Sequence, residues 1–149
     1  MEQMHEYAGV IGTIDPQTVN NSEIFSDVID MAEFDRVECT FLAGSMNGST
    51  GSLTCRCVTC DSSGNNVHAM KTAATIVAPA SADQVIIEVD NNDLAGGSSA
   101  LYENRYIKFG MVSGATGGPV AAVIKGKAKN HPSSDLNLAT VKQILIAHD

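Results

Sequence analysis

The chain has no tryptophan, three tyrosines and four phenylalanines, so aromatic residues fill only 5% of its 149 positions. A cleft that stacks sugar rings is hard to build from that supply. Charge is sparse as well: 17% of residues are Asp, Glu, Lys or Arg, against roughly 25% in ordinary globular proteins. Bases are the scarcer sign, nine against seventeen acids, for a net charge of -8. Nucleic acids and anionic membranes are bound through clustered Lys and Arg, so neither is expected as a partner. No run approaches the roughly 20 apolar residues of a membrane-spanning helix. Residues 1–7 lack the basic and apolar regions of a signal peptide. Synthesis in a cytosolic environment is expected, where the four cysteines stay thiols.

Catalytic signatures are also missing. There is no nucleophile elbow and no phosphate-binding Gly-x-x-x-x-Gly-Lys loop. Gly114, Gly117 and Gly118 do not sit between a strand and a helix, so they should not cradle phosphate. His5, His68, His131 and His148 are scattered and form neither a His-x-His strand pair nor a His-Glu-x-x-His helix. Cys55, Cys57 and Cys60, with Cys39, invite a zinc reading, but paired knuckles are absent. On a strand, Cys55 and Cys57 share one face while Cys60 points to the other. Core-facing thiols that behave as small hydrophobes fit better. Glu88, Asp90, Asn91, Asn92 and Asp93 could suggest calcium, yet the glycine and closing glutamate of an EF-hand loop are missing. A polar turn after a strand has the same composition. The expectation is a protein without cofactor, metal or catalysis.

What the chain does have is alternation. Residues 104–112 alternate polar and apolar, with Arg105, Ile107, Phe109 and Met111 on one face and Tyr106, Lys108 and Val112 on the other. A Gly-rich break follows at 113–118, and residues 119–127 alternate again, with Val120, Ala122 and Ile124 facing the core and Lys125 and Lys127 facing solvent. Two such runs around a break predict a β-hairpin. Further strands are predicted at 8–14 (stopped by Asp15 and Pro16), 24–31, 36–43, 52–60 and 84–89. Residues 18–21, 44–51, 61–66 and 90–100 read as turns or loops. Residues 67–77 are ambiguous between strand and helix, and 32–35 between a helical turn and a bend. Residues 136–148 fit either spacing, with a strand preferred. Seven to nine short strands imply an all-β, single-domain antiparallel β-sandwich, jelly-roll-like, over 8–149, preceded by an extended N-terminal arm at 1–7.

The order of segments carries a resemblance. Asp30–Met31–Ala32–Glu33–Phe34–Asp35–Arg36–Val37 leads into a strand ending in a Gly/Ser/Asn loop. Then come Gln84–Val85–Ile86–Ile87–Glu88–Val89, Asn104–Arg105–Tyr106–Ile107–Lys108–Phe109 and the Gly-rich break. Lys127–Ala128–Lys129–Asn130–His131–Pro132 and Val141–Lys142–Gln143–Ile144–Leu145–Ile146 close the chain. Over its last two-thirds this resembles the head decoration, or cement, proteins of tailed bacteriophages. The resemblance implies a jelly-roll-like sandwich without catalysis, made in the bacterial host cytoplasm and placed on the outer capsid surface of the virion. Its partners would be the major capsid protein and further copies of itself, as a homo-oligomer (dimer or trimer). Met1, Met4 and Tyr7 of the arm would then be candidate capsid or oligomer contacts, and the binding surface is expected in the arm and loops. A carbohydrate-binding β-sandwich module is the alternative, and exposed aromatics would distinguish it.

Overall fold

The computed structural model describes residues 8–46, 51–77, 79, 83–95, 105–114 and 116–129. Among these, ten strands and one short helix follow in the order β1 (Ala8–Val19), β2 (Glu23–Phe25), β3 (Ile29–Asp30), β4 (Phe34–Ala43), β5 (Ser52–Cys60), β6 (His68–Thr72), β7 (Ile76–Val77), β8 (Asp83–Asp90), α1 (Asn91–Ala95), β9 (Tyr106–Ser113) and β10 (Gly118–Ala128). The arm at 1–7 and the C-terminal segment at 136–148 lie outside the described residues.

Strand pairing is nested. β1 pairs with β10, β2 and β3 with β9, β4 with β8, and β5 with β6, all antiparallel. The chain therefore makes one long ribbon doubled back at the turn between β5 and β6. Two further antiparallel pairings, β10 with β4 and β9 with β5, exist because the ribbon is rolled. Rolling leaves two sheets, ordered β1-β10-β4-β8 (sheet A) and β2-β9-β5-β6 (sheet B, with β3 beside β9 and β7 beside β5). This wiring is an antiparallel jelly-roll sandwich.

Alternation decides what lies between the sheets. Val37, Cys39, Phe41 and Ala43 of β4 and Val120, Ala122 and Ile124 of β10 line it from sheet A. Leu53, Cys55 and Cys57 of β5 and Ile107, Phe109 and Met111 of β9 line it from sheet B. The rings of Phe41 and Phe109 meet edge to face, with centroids 6.2 Å apart and planes at 69°. Lys125 and Lys127 are exposed, as their register requires.

The expected hairpin at 104–127 does not form. β9 and β10 alternate as read, but they lie in different sheets, and the Gly-rich break carries the chain across the edge of the sandwich. Local alternation cannot distinguish a hairpin from such a crossing, because β5 and β4 compete for the same strand edges. The crossing is tight. Gly114 N–H donates to Ser52 O at 2.9 Å, and a Cβ on Gly117 would fall 1.7 Å from Val19 O. The Val19 backbone against Gly117, and the Ser52 and Met46 side chains against Gly114 and Gly118, leave no room for a Cβ at these glycines.

Other boundaries moved for equally local reasons. β1 runs past Pro16 to Val19, since it is an edge strand whose register shifts between Val10 and Gly12 and between Ile14 and Gln17, where a missing N–H is tolerated. The single strand expected at 24–31 is two, because Ser26 leaves the ladder: its N–H donates to Phe109 O, and its hydroxyl accepts from Phe109 N–H. Of the ambiguous stretch 32–35, Ala32 and Glu33 form a turn, with Asp30 accepting from Ala32 N–H, and Phe34 and Asp35 already begin β4. The ambiguous stretch at 67–77 is extended, as β6 and β7.

The four cysteines are free thiols and all buried. Burial is the main cause that pushes the Cys55 and Cys57 thiols up to about 12. Cys39 is pushed up further, by burial first and then by the charge that Cys55, Cys57 and Glu38 would add. Thr59 also faces the core, and its hydroxyl has no hydrogen-bond partner among the described residues.

Four outcomes follow from this core. Phe109→Ala should cost about 3–5 kcal/mol in denaturant unfolding, since it empties the centre of the contact between sheets. Thr59→Val should be neutral or stabilising by about 1 kcal/mol, because it removes an unpaired buried hydroxyl at constant shape; a loss above that size would mean that the hydroxyl is bonded. The native thiols should resist a disulfide-exchange reagent at pH 8 and all react in denaturant. The raised folded pKa values mean that the unfolded chain gives up these protons first. Stability should therefore fall as pH rises from about 9 to about 12, readable as a falling midpoint in alkaline unfolding curves.

Candidate interaction surface

The possible chemical sites resolve into structural roles. Alternation puts Cys60 on the outer side of β5, opposite Cys55 and Cys57, beneath Lys108 and Asp61. The four thiols therefore do not converge on one point, and no group of metal-ligating side chains is found among the described residues. His68 is exposed on β6; His5, His131 and His148 lie outside the described residues, as do Met1, Met4 and Tyr7.

The acidic stretch after β8 is a helix cap. Asp90 Oδ1 accepts from the N–H groups of Asn92 (2.8 Å) and Asp93 (3.1 Å), and Asp93 Oδ2 accepts in return from Asp90 N–H (2.9 Å). This reciprocal arrangement is a capping box, and it starts α1 where a loop was expected. The spacing Asp90-x-x-Asp93 was its available signal. Asp93 also takes Lys71 Nζ at 2.8 Å. Partial burial would raise the Asp93 pKa, but the bonds from Lys71 and the Asp90 backbone, with the Lys71 charge, hold it below the usual carboxylate value. Asn91 Nδ2 donates to Phe34 O. The Asp90 and Asp93 oxygens accept from backbone N–H groups and Lys71, in the polar-turn arrangement.

Most described cations are similarly engaged. Arg56 makes a two-pronged bond to Glu23 at 2.6 and 2.7 Å and lies over the Phe25 ring. Lys108 covers the same ring at 4.2 Å and donates to Gly64 O. Phe25 fits there because Gly110 has no side chain; a Cβ would come within 2.6 Å of the ring. Arg36 pairs with Glu88, and Arg105 with Asp30. The guanidinium of Arg105 also lies over Tyr106. Phe34, Phe41 and Phe109 are in the core. The described rings thus offer no open platform for a sugar.

The outer face of sheet A is different. The register places Val10, Lys125, Glu38 and Glu88 in one row across β1, β10, β4 and β8. The next outward row is Thr13, Val123, Thr40 and Ile86, followed by Ala121, Leu42 and Gln84. On β10, β4 and β8 charge therefore stops after the first of these rows, and Asp15, bonded to Thr13 Oγ1, bounds the area on the β1 side. Beyond that row lies a neutral area with Ile86 60% and Leu42 37% exposed. A shallow depression of about 210 Å³ lined by Pro16, Leu42, Pro119 and Ala121 continues it. A contiguous, largely uncharged sheet face is a candidate surface for another protein. The expectation had directed attention to the arm and loops and passed over this face. Its signal was Ile86 beside Ile87, which puts an aliphatic side chain on both sides of one strand.

Comparison with known proteins adds likeness at the level of overall shape. No family model matches the chain, and no curated protein matches it. Among solved structures, a subunit from work titled "Bacillus endospore appendages form a novel family of disulfide-linked pili" aligns over 85% of this chain and 96% of its own, at 12% identity and a TM-score of 0.42. A chain of the T13 infectious bursal disease virus particle aligns over 87% of this chain at 10% identity and a TM-score of 0.43; the alignment spans 32% of that viral chain. The family 11 carbohydrate-binding module of Clostridium thermocellum aligns over 80% of this chain and 85% of its own, at 14% identity and a TM-score of 0.35.

Proposed function

We propose that the protein is a non-catalytic virion structural protein that seats on the outer surface of an icosahedral phage capsid and bridges capsid subunits. Its partners are the major capsid protein and further copies of itself, and it is made in the bacterial host cytoplasm. The observation that carries the reading is the neutral outer face of sheet A, an area for docking on a rigid sandwich. The resemblance of segment order to head decoration proteins supplies the partner. The engaged cations and buried, protonated thiols support a binding role over a reactive one. Bridging works by multivalency: several weak contacts to neighbouring subunits, made at once by an oligomer, hold where one would not.

Incubation of the purified protein with decoration-free heads tests this. Saturable binding and a raised temperature of genome release are expected. Leu42→Glu should weaken that binding at least about tenfold by placing a charge in the neutral area. Heads that neither bind the protein nor gain resistance to heat or low salt would overturn the reading.

A further inference from the structure

One side of the sandwich is spanned by a bonded lysine. The edge strands β6 of sheet B and β8 of sheet A lie on that side, and Lys71 of β6 reaches from one to the other. It stands directly opposite Cys57 in the β5–β6 pairing, and residues directly opposite in an antiparallel pair share a face. Cys57 faces the core and is fully buried, so Lys71 also leaves its strand on the inner side. Its stem runs past the thiol and carries the ammonium toward water. The ammonium ends on sheet A, where Lys71 Nζ donates to Glu88 O at 2.8 Å and to Asp93 Oδ2 at 2.8 Å. Burial pushes the Cys57 thiol up to about 12; the Lys71 charge acts against it, and the Asp93 charge is felt there too. Both ends of the bridge therefore lie near the sulfur.

The elements tied by this bridge are the ones the core holds least. β6 has five residues, none of them buried, one partner strand among the described residues, and an extra residue, Met70, at its register shift. α1 also has five residues and starts on the Asp90–Asp93 box. From these two elements only Met70, Leu94 and the Lys71 stem cover the core, and Met70 and Leu94 are partly buried. In contrast, β4, β5 and β9 each have a neighbour on both sides. Local opening begins where buried apolar contact is least. An ammonium beside the core is costly unless bonded, so loss of the bonds drives Lys71 outward and leaves the thiol behind it uncovered.

We propose that Lys71 is a strap over a hidden nucleophile. Bonded to Glu88 O and Asp93 it closes the core at Cys57; on release β6 and α1 part, and Cys57 meets solvent while the rest of the sandwich stays folded. Cys39 stays covered in the opened form, because it lies on β4 with β10 on one side and β8 on the other. Relief of burial returns the Cys57 thiol toward its ordinary value, and the thiolate is the reactive form. The strap depends on no property of a capsid: a chain that fails to bind heads leaves it standing, while the proposed function falls.

The test is the rate at which iodoacetamide alkylates each cysteine of the folded full chain, read by peptide mass spectrometry. The reagent forms a thioether on the sulfur, and iodide leaves. Lys71→Met keeps most of the stem and removes the ammonium. It should raise the Cys57 rate at least about tenfold over the wild type and leave the Cys39 rate within about twofold, with an unchanged circular dichroism spectrum. Asp93→Ala removes the anchor and leaves Lys71 in place, and should also speed Cys57 ahead of Cys39. The proposal is overturned if neither variant speeds Cys57. It is equally overturned if Cys39 speeds as much as Cys57, which is the signature of the whole sandwich unfolding.

Discussion

The contact between the two sheets, centred on the Phe41 and Phe109 rings, is the constraint on which the rest of the molecule depends. A long antiparallel ribbon has no reason to roll unless one face of it is apolar along its whole length. Here that face runs through Val37, Cys39 and Phe41 on β4, and through Ile107, Phe109 and Met111 on β9. Burying both runs at once brings β10 beside β4 and β9 beside β5. Those two pairings turn a flat ribbon into a closed sandwich. The crossing at 113–118 follows from the same step, since a ribbon rolled this way must pass from one sheet to the other. Of its glycines, Gly117 is required by the approach of the Val19 carbonyl.

The distribution of polar groups is subordinate to that geometry. Few charges are available, and many of the described ones are set at the ends of strands, in caps, or over rings, with one row of Lys125, Glu38 and Glu88 across sheet A. The Asp90–Asp93 cap, the Arg56–Glu23 pair above Phe25 and the Asp30 bend each fasten an element that the core leaves loosely held. Little charge remains for the middle of sheet A, whose outer surface is consequently neutral. The low charge content of the chain thus appears in the structure as a surface property, with Leu42 and Ile86 where a monomer would ordinarily place Lys or Glu.

Edges and faces act together in an assembly reading. The sandwich limits pairing on three sides by bulges, proline and short strands, and on β8 by Lys71 on Glu88 O and Asp93 on Asp90 N–H. The outer face and the β8 edge share Ile86, which makes that residue the point where the two surface features meet.

By itself the sequence determined where β4, β5, β8, β9 and β10 lie and which side of β4, β5, β9 and β10 is inside. The period-two pattern is a local property of the pleated backbone, so the faces of β4, β5, β9 and β10 were legible without neighbours. The cysteines at core-facing positions were legible for the same reason. So were the turn at 61–66 and the class of fold. Only the tertiary structure decided which strands pair. Whether β9 turns back on β10 or pairs with β5 depends on apolar faces far apart in the chain, which no local window contains. The continuation of β1 through Pro16 and the exposure of Ile86 were decided there too, because both depend on a strand being at an edge. Which strands lie at an edge is a property of the rolled ribbon as a whole.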